Sequence, residues 1–445
     1  MSNEGQSLFE YFASRNLFID TAQSTLSGLS QSRRTELIRE CHDRLPVARR
    51  SDALTTFDFT VNGELAGAPF PCSSISCRMQ NLMELTRFSV LYADSVVLPN
   101  PFAERPHNSA SLFQTGFHPE DPVNFALLYF LRPLIEAGIV TFAKRIPHFC
   151  PDCLAKHGDL EKLGFVRDLE VTANLFYEQF SPKVSYTLER ADGGYRLTAH
   201  GPVELIRHGS TSHNYSEVPE AIQKRLAEAP GGTLALSAEE ITWVFPFLLQ
   251  TVVDDVYTQH FLTSDLHCHY LTNRDLDVQI IEFIEGKSSP PPPQATIDAF
   301  KHVIPFIENV PLARLLHLRE SEAEAFRVYK DALSAALKNI KSLDSNAVRE
   351  LFADTVRPEL NKIESIIKSS KSSLRRLLGR DFVVGMGSVA VGLFTGEALG
   401  ALLTAMGLTS LARTAIDSVR EPSDIKKEKY YFLWRAVQLA KEYKD

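Results

Sequence analysis

The chain has 445 residues, 44% of them hydrophobic and 23% charged, enough to bury one or more full cores and too apolar for wholesale disorder. A net charge of −8 and a pI near 5.9 exclude a general attraction to nucleic-acid phosphates and leave only local basic patches for such contact. Six cysteines do not make a disulfide framework at this length. Met1 to Phe18, with Glu4 and Glu10, lacks the basic and apolar blocks of a secretory signal, so a cytoplasmic, reducing setting is expected.

Residues 1–286 mix helical and strand signals. Thr56-Phe57-Asp58-Phe59-Thr60-Val61 alternates polar and apolar residues and runs into Asn62-Gly63, which predicts a hairpin. Met79 to Tyr92 is apolar at helical spacing, and the short run Val96-Val97-Leu98 follows it, closed by Pro99. Phe125 to Ala137 predicts a buried helix ending at Gly138, with a strand over Ile139 to Phe142. Lys183 to Leu188 and Tyr195 to Ala199 predict a second hairpin, turning at Asp192-Gly193-Gly194. Ala238 to Phe261 predicts a long, largely buried helix. Because helices and hairpins do not alternate strictly, the region reads as α+β and not as a parallel α/β wind.

Residues 287–293 contain four consecutive prolines, Pro290 to Pro293, which cannot join a helix or a sheet ladder and favour an extended linker. Beyond them, residues 294–445 read as an all-α bundle, so the whole chain is expected to be α+β and predominantly helical. Phe300, Val303, Ile304 and Ile307 make one stripe; Phe326, Tyr329, Leu333, Leu337 and Ile340 make the next. Pro358 suits the start of a helix whose apolar face continues through Leu360, Ile363 and Ile367. Tyr430 to Tyr443 predicts a final amphipathic helix.

Between Phe382 and Ala412 there is one charge, Glu397, and six glycines. Small residues fall every fourth position, at Ser388, Gly392, Gly396, Gly400 and Thr404, which writes a narrow groove along an apolar rod. Each glycine costs about 1 kcal/mol in a helix relative to alanine, so the series needs a close-packing reason. Upstream, Lys368, Lys371, Arg375, Arg376 and Arg380 form a basic run suited to anionic lipid headgroups. Two settings satisfy this pattern: the core of a soluble bundle, or conditional insertion into a membrane. Glu397 and the positive charge on both flanks favour a hairpin or a surface-lying element over one oriented pass.

Elsewhere the chemistry is sparse. Cys150 and Cys153 form a Cys-x-x-Cys pair able to clasp zinc, with His157 or His148 as a third ligand and His267-Cys268-His269 as the candidate second half-site. Two reduced cysteines in a loop, or a redox pair, remain alternatives. Gly385-Met386-Gly387-Ser388 loosely matches a dinucleotide fingerprint but lacks an acid at the end of a second strand. Asp277 with Glu285 and Lys287, around a strand at Val278 to Ile284, sketches a metal-dependent nuclease. Asp254 and Asp255 are adjacent on a helix with His260 and point about 100° apart, which predicts a solvated edge.

Three stretches carry a resemblance: Leu91 to Pro101, Arg132 to Val140, and Pro311 to Glu320 continuing to Phe326. They resemble a diffuse group of uncharacterised bacterial proteins, some of which accompany phage-defence loci. The resemblance lies in packing residues; it implies a bacterial cytoplasmic protein and transfers no activity. The expected function is accordingly a non-enzymatic interaction or sensor protein of antiphage-defence type, with a protein partner and a conditionally membrane-active hairpin. It would be cytoplasmic, and membrane-associated on activation. The alternatives are a soluble scaffold with a structural zinc loop, and a nuclease.

Overall fold

The computed structural model describes residues 7–50, 57–68, 74–102, 121–143, 160–191, 193–203, 205–206, 209–237, 240, 244–274, 276–277, 279–281, 294–296, 307, 310–337, 350, 352–377 and 425–443. The chain divides into two compact units, Met1–Ala299 with Ser342–Asp344, and Phe300–Lys341 with Ser345–Asp445. Mixed α+β character with helix predominating is what the sequence leads one to expect.

The first unit is organised by a five-stranded sheet in the order β3-β2-β1-β8-β9. Its strands are β1 (Asp58–Val61), β2 (Ser95–Leu98), β3 (Val140–Phe142), β8 (His269–Thr272) and β9 (Gln294–Thr296), and every pairing is parallel. The hairpin expected at Asn62-Gly63 is therefore not formed; this turn leads instead into a β-to-α connection. The alternation that suggested a half-solvated strand is misleading because the polar positions are engaged inside. Thr60 is buried and donates its hydroxyl to the Gln259 amide oxygen, and Asp58 accepts from Ser95 Oγ at 2.6 Å. Strand β9 lies just past the proline run, at the opening of the span expected to be helical.

Helices α1 (Leu8–Ser14), α2 (Ala22–Ser27) and α3 (Gln31–Arg44) precede the sheet. Ser7 and Glu10 cap α1 reciprocally, and Phe12 packs edge-on against Phe125, their centroids 5.1 Å apart. Helix α4 (Ile75–Tyr92) joins β1 to β2, and α5 (Asp121–Glu136) leads to β3. Gly138, at φ +71°, ends α5 in the left-handed conformation, and the next amide, Ile139 N–H, returns to the Leu134 carbonyl at 2.9 Å.

Between β3 and β8 the chain builds a separate antiparallel sheet, in the order β6-β5-β4-β7. It comprises β4 (Ser185–Ala191), β5 (Gly194–His200), β6 (Ser210–Tyr215) and β7 (Thr233–Ser237). The β4–β5 hairpin pairs Ala191 with Gly194, as expected from the turn residues. This sheet packs on α6 (Leu160–Phe180), α7 (Glu220–Glu228) and α8 (Val244–Leu266). Helix α8 is the common element. Val252, Val253, Val256 and Tyr257 enter the core shared with Tyr186, Leu188 and Leu197, and the same helix lies against β1 and β8.

Gly194 is required by a close approach. A Cβ built there falls 2.2 Å from the Tyr215 carbonyl oxygen, where β5 meets β6. Gly194→Ala is expected to destabilise the first unit by about 1–3 kcal/mol and to speed amide exchange along β6. Urea unfolding with hydrogen exchange tests this; a change under about 0.5 kcal/mol shows that the β6 edge yields freely.

The second unit contains α9 (Leu312–Ser321), α10 (Ala323–Leu337), α11 (Arg357–Leu377) and α12 (Tyr431–Glu442). A π-helical turn, Phe352–Val356, leads into α11, where Pro358 stands near the start. Phe326, Tyr329, Tyr430 and Phe432 pack between α10 and α12, Leu333 of α10 and Ile363 of α11 are fully buried, and α11 lies against α12. Lys426 pairs with Glu322 at 2.9 Å and Lys362 with Glu428 at 3.1 Å. Among the described residues, no helix is long and apolar enough to cross a membrane. The expected segment 382–412, including the groove positions Ser388, Gly392, Gly396, Gly400 and Thr404, lies outside the described residues.

Candidate ligand site at the carboxyl edge of the parallel sheet

A parallel sheet directs all its carboxyl ends to one edge. Here the chain runs outward from β1 through β2 to β3 on one side, and from β8 to β9 on the other. The order reverses between β1 and β8, the kind of position where open parallel sheets form a crevice beyond the strand ends. Each of the three central strands is followed by an asparagine: Asn62 directly after β1, Asn100 two residues past β2, and Asn273 directly after β8. All three are buried.

Asn62 ties the two central strands together. Its side-chain nitrogen lies 3.0 Å from Thr272 Oγ1, 2.8 Å from Asn273 Oδ1 and 3.2 Å from Asp277 Oδ2, while its Oδ1 accepts from Leu65 N–H at 3.0 Å. Asp277, fully buried, also accepts from Tyr270 Oη at 2.6 Å and Thr272 Oγ1 at 2.5 Å. Its other oxygen stands 2.8 Å from Arg274 Nε, an ion-pair contact not aligned as a hydrogen bond. Arg274, with a side chain 4% exposed, donates from Nη2 to Asp255 Oδ2 at 2.5 Å. Asp255 comes from α8 and accepts the Gly63 N–H on both oxygens, at 3.0 and 2.9 Å.

Electrostatics follow from this burial. Burial pushes the Asp255 carboxyl above its usual range, and the Arg274 guanidinium opposes the shift. Burial also disfavours the charge on Arg274, yet the carboxylates of Asp277 and Asp255 outweigh it and hold its pKa well above the ordinary value. Tyr270 is pushed well up, first by burial and then by the negative charge of Asp277. A second buried cation, Arg78, donates to the Gly67 carbonyl at 2.6 Å; its Nη2 lies 3.4 Å from Asn124 Oδ1. Asn81 Nδ2 stands 3.5 Å from Glu64 Oε1. The Nδ2 group of Asn273, a residue only 5% exposed, has no hydrogen-bond partner among the described residues. Buried amide donors are rarely left so.

Several sequence expectations change here. Asp255 is not on a solvated edge: it is turned into the unit and clasped by Arg274 and Gly63, because α8 packs directly over the ends of β1 and β8. The strand expected from Val278 to Ile284 does not form where it is described; residues 279–281 are helical. Asp277, expected as a nuclease carboxylate, is surrounded by protein donors, while Glu285 and Lys287 lie outside the described residues. Of the proposed zinc half-sites, Cys150, Cys153 and His157 (with His148) also lie outside them. His267 contacts Arg50 Nη2 at 2.6 Å, Cys268 is buried with its thiol pushed up to about 12, and His269 sits in β8 beside the Phe59 ring. Among the described residues, no group of three or more His, Cys, Asp and Glu could hold a metal. Lys368, Lys371, Arg375 and Arg376 fall in the last turns of α11, and Arg380 lies outside the described residues.

Sequence reasoning missed Arg274, Asn62, Thr272 and Asn273. One signal was present: a polar residue, asparagine each time, stands just past each central strand. No protein-family model, curated protein or solved structure matches this chain.

Proposed function

We propose that this protein is a non-enzymatic sensor of bacterial defence type. Its first unit takes a small ligand at the carboxyl edge of the parallel sheet, between β1 and β8, and its second unit delivers the response to a protein partner or an anionic membrane. The observation that carries the reading is the buried Asp255–Arg274–Asp277 cluster at the sheet's reversal point, with the Asn273 amide nitrogen unpaired among the described residues. Both carboxylates are engaged with Arg274 and neighbouring donors, which suits holding a ligand's position better than moving protons.

Thermal-shift screening of the full chain against nucleotides, sugar phosphates and small carboxylic acids tests the first half, alongside mass spectrometry of co-purified molecules. A ligand at a hundred times its Kd is expected to add about 2.7 kcal/mol of stability. The gain should vanish in Asn273→Ala. No stabilisation by any compound, and none co-purifying, would sink the sensing role.

For the response, one observation favours the hairpin form of the membrane hypothesis. The described residues on either side of 378–424, α11 and Ile425 onward, belong to the same unit, and Glu428 pairs with Lys362 of α11. A membrane-active segment with both flanks held in one unit would cross a bilayer an even number of times or lie on its surface. Leakage from anionic liposomes should therefore appear on triggering, weaken with salt, and fall in Gly396→Leu. Equal leakage from Gly396→Leu and the unmodified chain would remove the role given to the small-residue groove.

A further inference from the structure

We infer that Asp255 is a displaceable internal anion, seated where the carboxylate of an external ligand binds, and that its displacement loosens α8 at the turn after β1. The inference rests on the reading of this edge as a ligand site and names the ligand's chemical class. Gly63 N–H stands in the turn after β1, where backbone amides of parallel sheets are free to meet anions. The group that fills this seat comes from a helix 192 residues further on, and not from the turn itself. Arg274 Nη2, arriving from the other side of the reversal point, meets the same carboxylate.

Three features make the seat separable from its present occupant. Asp255 is the most accessible member of the cluster, its side chain 17% exposed against 4% for Arg274 and 0% for Asp277. Arg274 has a second anchor, since Asp277 stands at its Nε and is itself fixed by Tyr270, Thr272 and Asn62. The guanidinium therefore stays in place when Asp255 leaves. Finally, the space above Gly63 is lined by Ala68 Cβ, 3.4 Å from a Cβ built there, and by both Asp255 oxygens at 3.5 Å, so the carboxylate is one of two groups that fill it.

Charge selects the class. Asp277 and Glu64 both act on Arg274 and remain when Asp255 is displaced. A dianionic phosphate meets more repulsion there than a monoanion, so a carboxylate-bearing small molecule fits best. The Asn273 amide, in the residue before Arg274 and unpaired among the described residues, is a further donor in this cluster. Displacement is transmitted by geometry, because α8 also contributes Val252, Val253, Val256 and Tyr257 to the core under β4, β5 and β7.

Chemical rescue in the full chain tests this. Asp255→Ala should lower the unfolding temperature of the first unit, and formate or acetate should restore much of the loss, while chloride at equal ionic strength should not. Restoration by inorganic phosphate but not by carboxylates overturns the assigned class. No restoration by any anion in a folded Asp255→Ala protein overturns the displaceable seat. Should Asp255→Ala not fold, Asp255→Asn keeps the shape without the charge. It should be stabilised by roughly tenfold less acetate than the unmodified chain, and an equal requirement overturns the inference. Ligand stabilisation that depends on Asn273, without anion rescue, leaves the sensing site standing and removes only the displacement.

Discussion

Asp277→Ala is expected to remove about 3–5 kcal/mol from the stability of the first unit, enough to unfold it in many conditions. The substitution takes one side chain from three hydrogen-bond donors, Tyr270 Oη, Thr272 Oγ1 and the Asn62 amide, and from its ion pair with the Arg274 guanidinium. What remains is a buried cation ion-paired with Asp255, and hydroxyl and amide donors cut off from water. Asp277→Asn should cost less, because an amide oxygen still accepts. The double variant Arg274→Met/Asp277→Leu should be less damaging than Asp277→Ala alone, since an apolar pair leaves no stranded charge. The two tryptophans make this measurable, for Trp243 belongs to the first unit and Trp434 to the second. Urea unfolding of Trp434→Phe variants reports the first unit through Trp243. If Asp277→Ala shifts that transition by less than about 0.5 kcal/mol, the cluster does not hold the sheet edge together.

Local elements were legible where their periodicity is local. Helices α4, α5, α8, α10 and α12, the strands β2 and β3, and the β4–β5 hairpin all follow from spacing and turn residues within short windows. The parallel sheet was not, because its central pairing joins Phe59 to His269 across most of the first unit. The antiparallel β4–β7 sheet stands between β3 and β8 and hides the alternation that a doubly wound fold writes into sequence. Strand β8 was also concealed by its composition, His-Tyr-Leu-Thr, in which the threonine looks solvated and is in fact bonded to Asp277 and Asn62. The site fared similarly. Asp255 and Asp277 are each ordinary helix acids until the fold places Arg274 between them, and no spacing rule connects Gly63 to a residue on α8.

Phe432→Ala should cost the second unit about 3–5 kcal/mol, the usual range for deleting a fully buried aromatic ring. Phe432 meets Phe326 edge-on at 4.8 Å and Tyr329 at 5.7 Å, and Tyr329 meets Tyr430 at 6.1 Å. These contacts fasten α12 to α10, while α11 lies against α12. Phe432→Leu keeps most of the volume and should cost clearly less. Trp434, two residues on and stacked on Tyr431, reports the loss as a change in emission when Trp243 is replaced by phenylalanine. The same variant bears on the response. Helices α11 and α12 flank residues 378–424 in the sequence, so Phe432→Ala alters a neighbour of that segment while leaving its glycine pattern intact. If that segment acts on membranes only when released, Phe432→Ala should lower the protein concentration needed to leak anionic liposomes, and Gly396→Leu added to it should reverse the gain. A destabilised Phe432→Ala protein with unchanged leakage would mean that α12 does not restrain the segment, and the coupling of fold to membrane action would have to be abandoned.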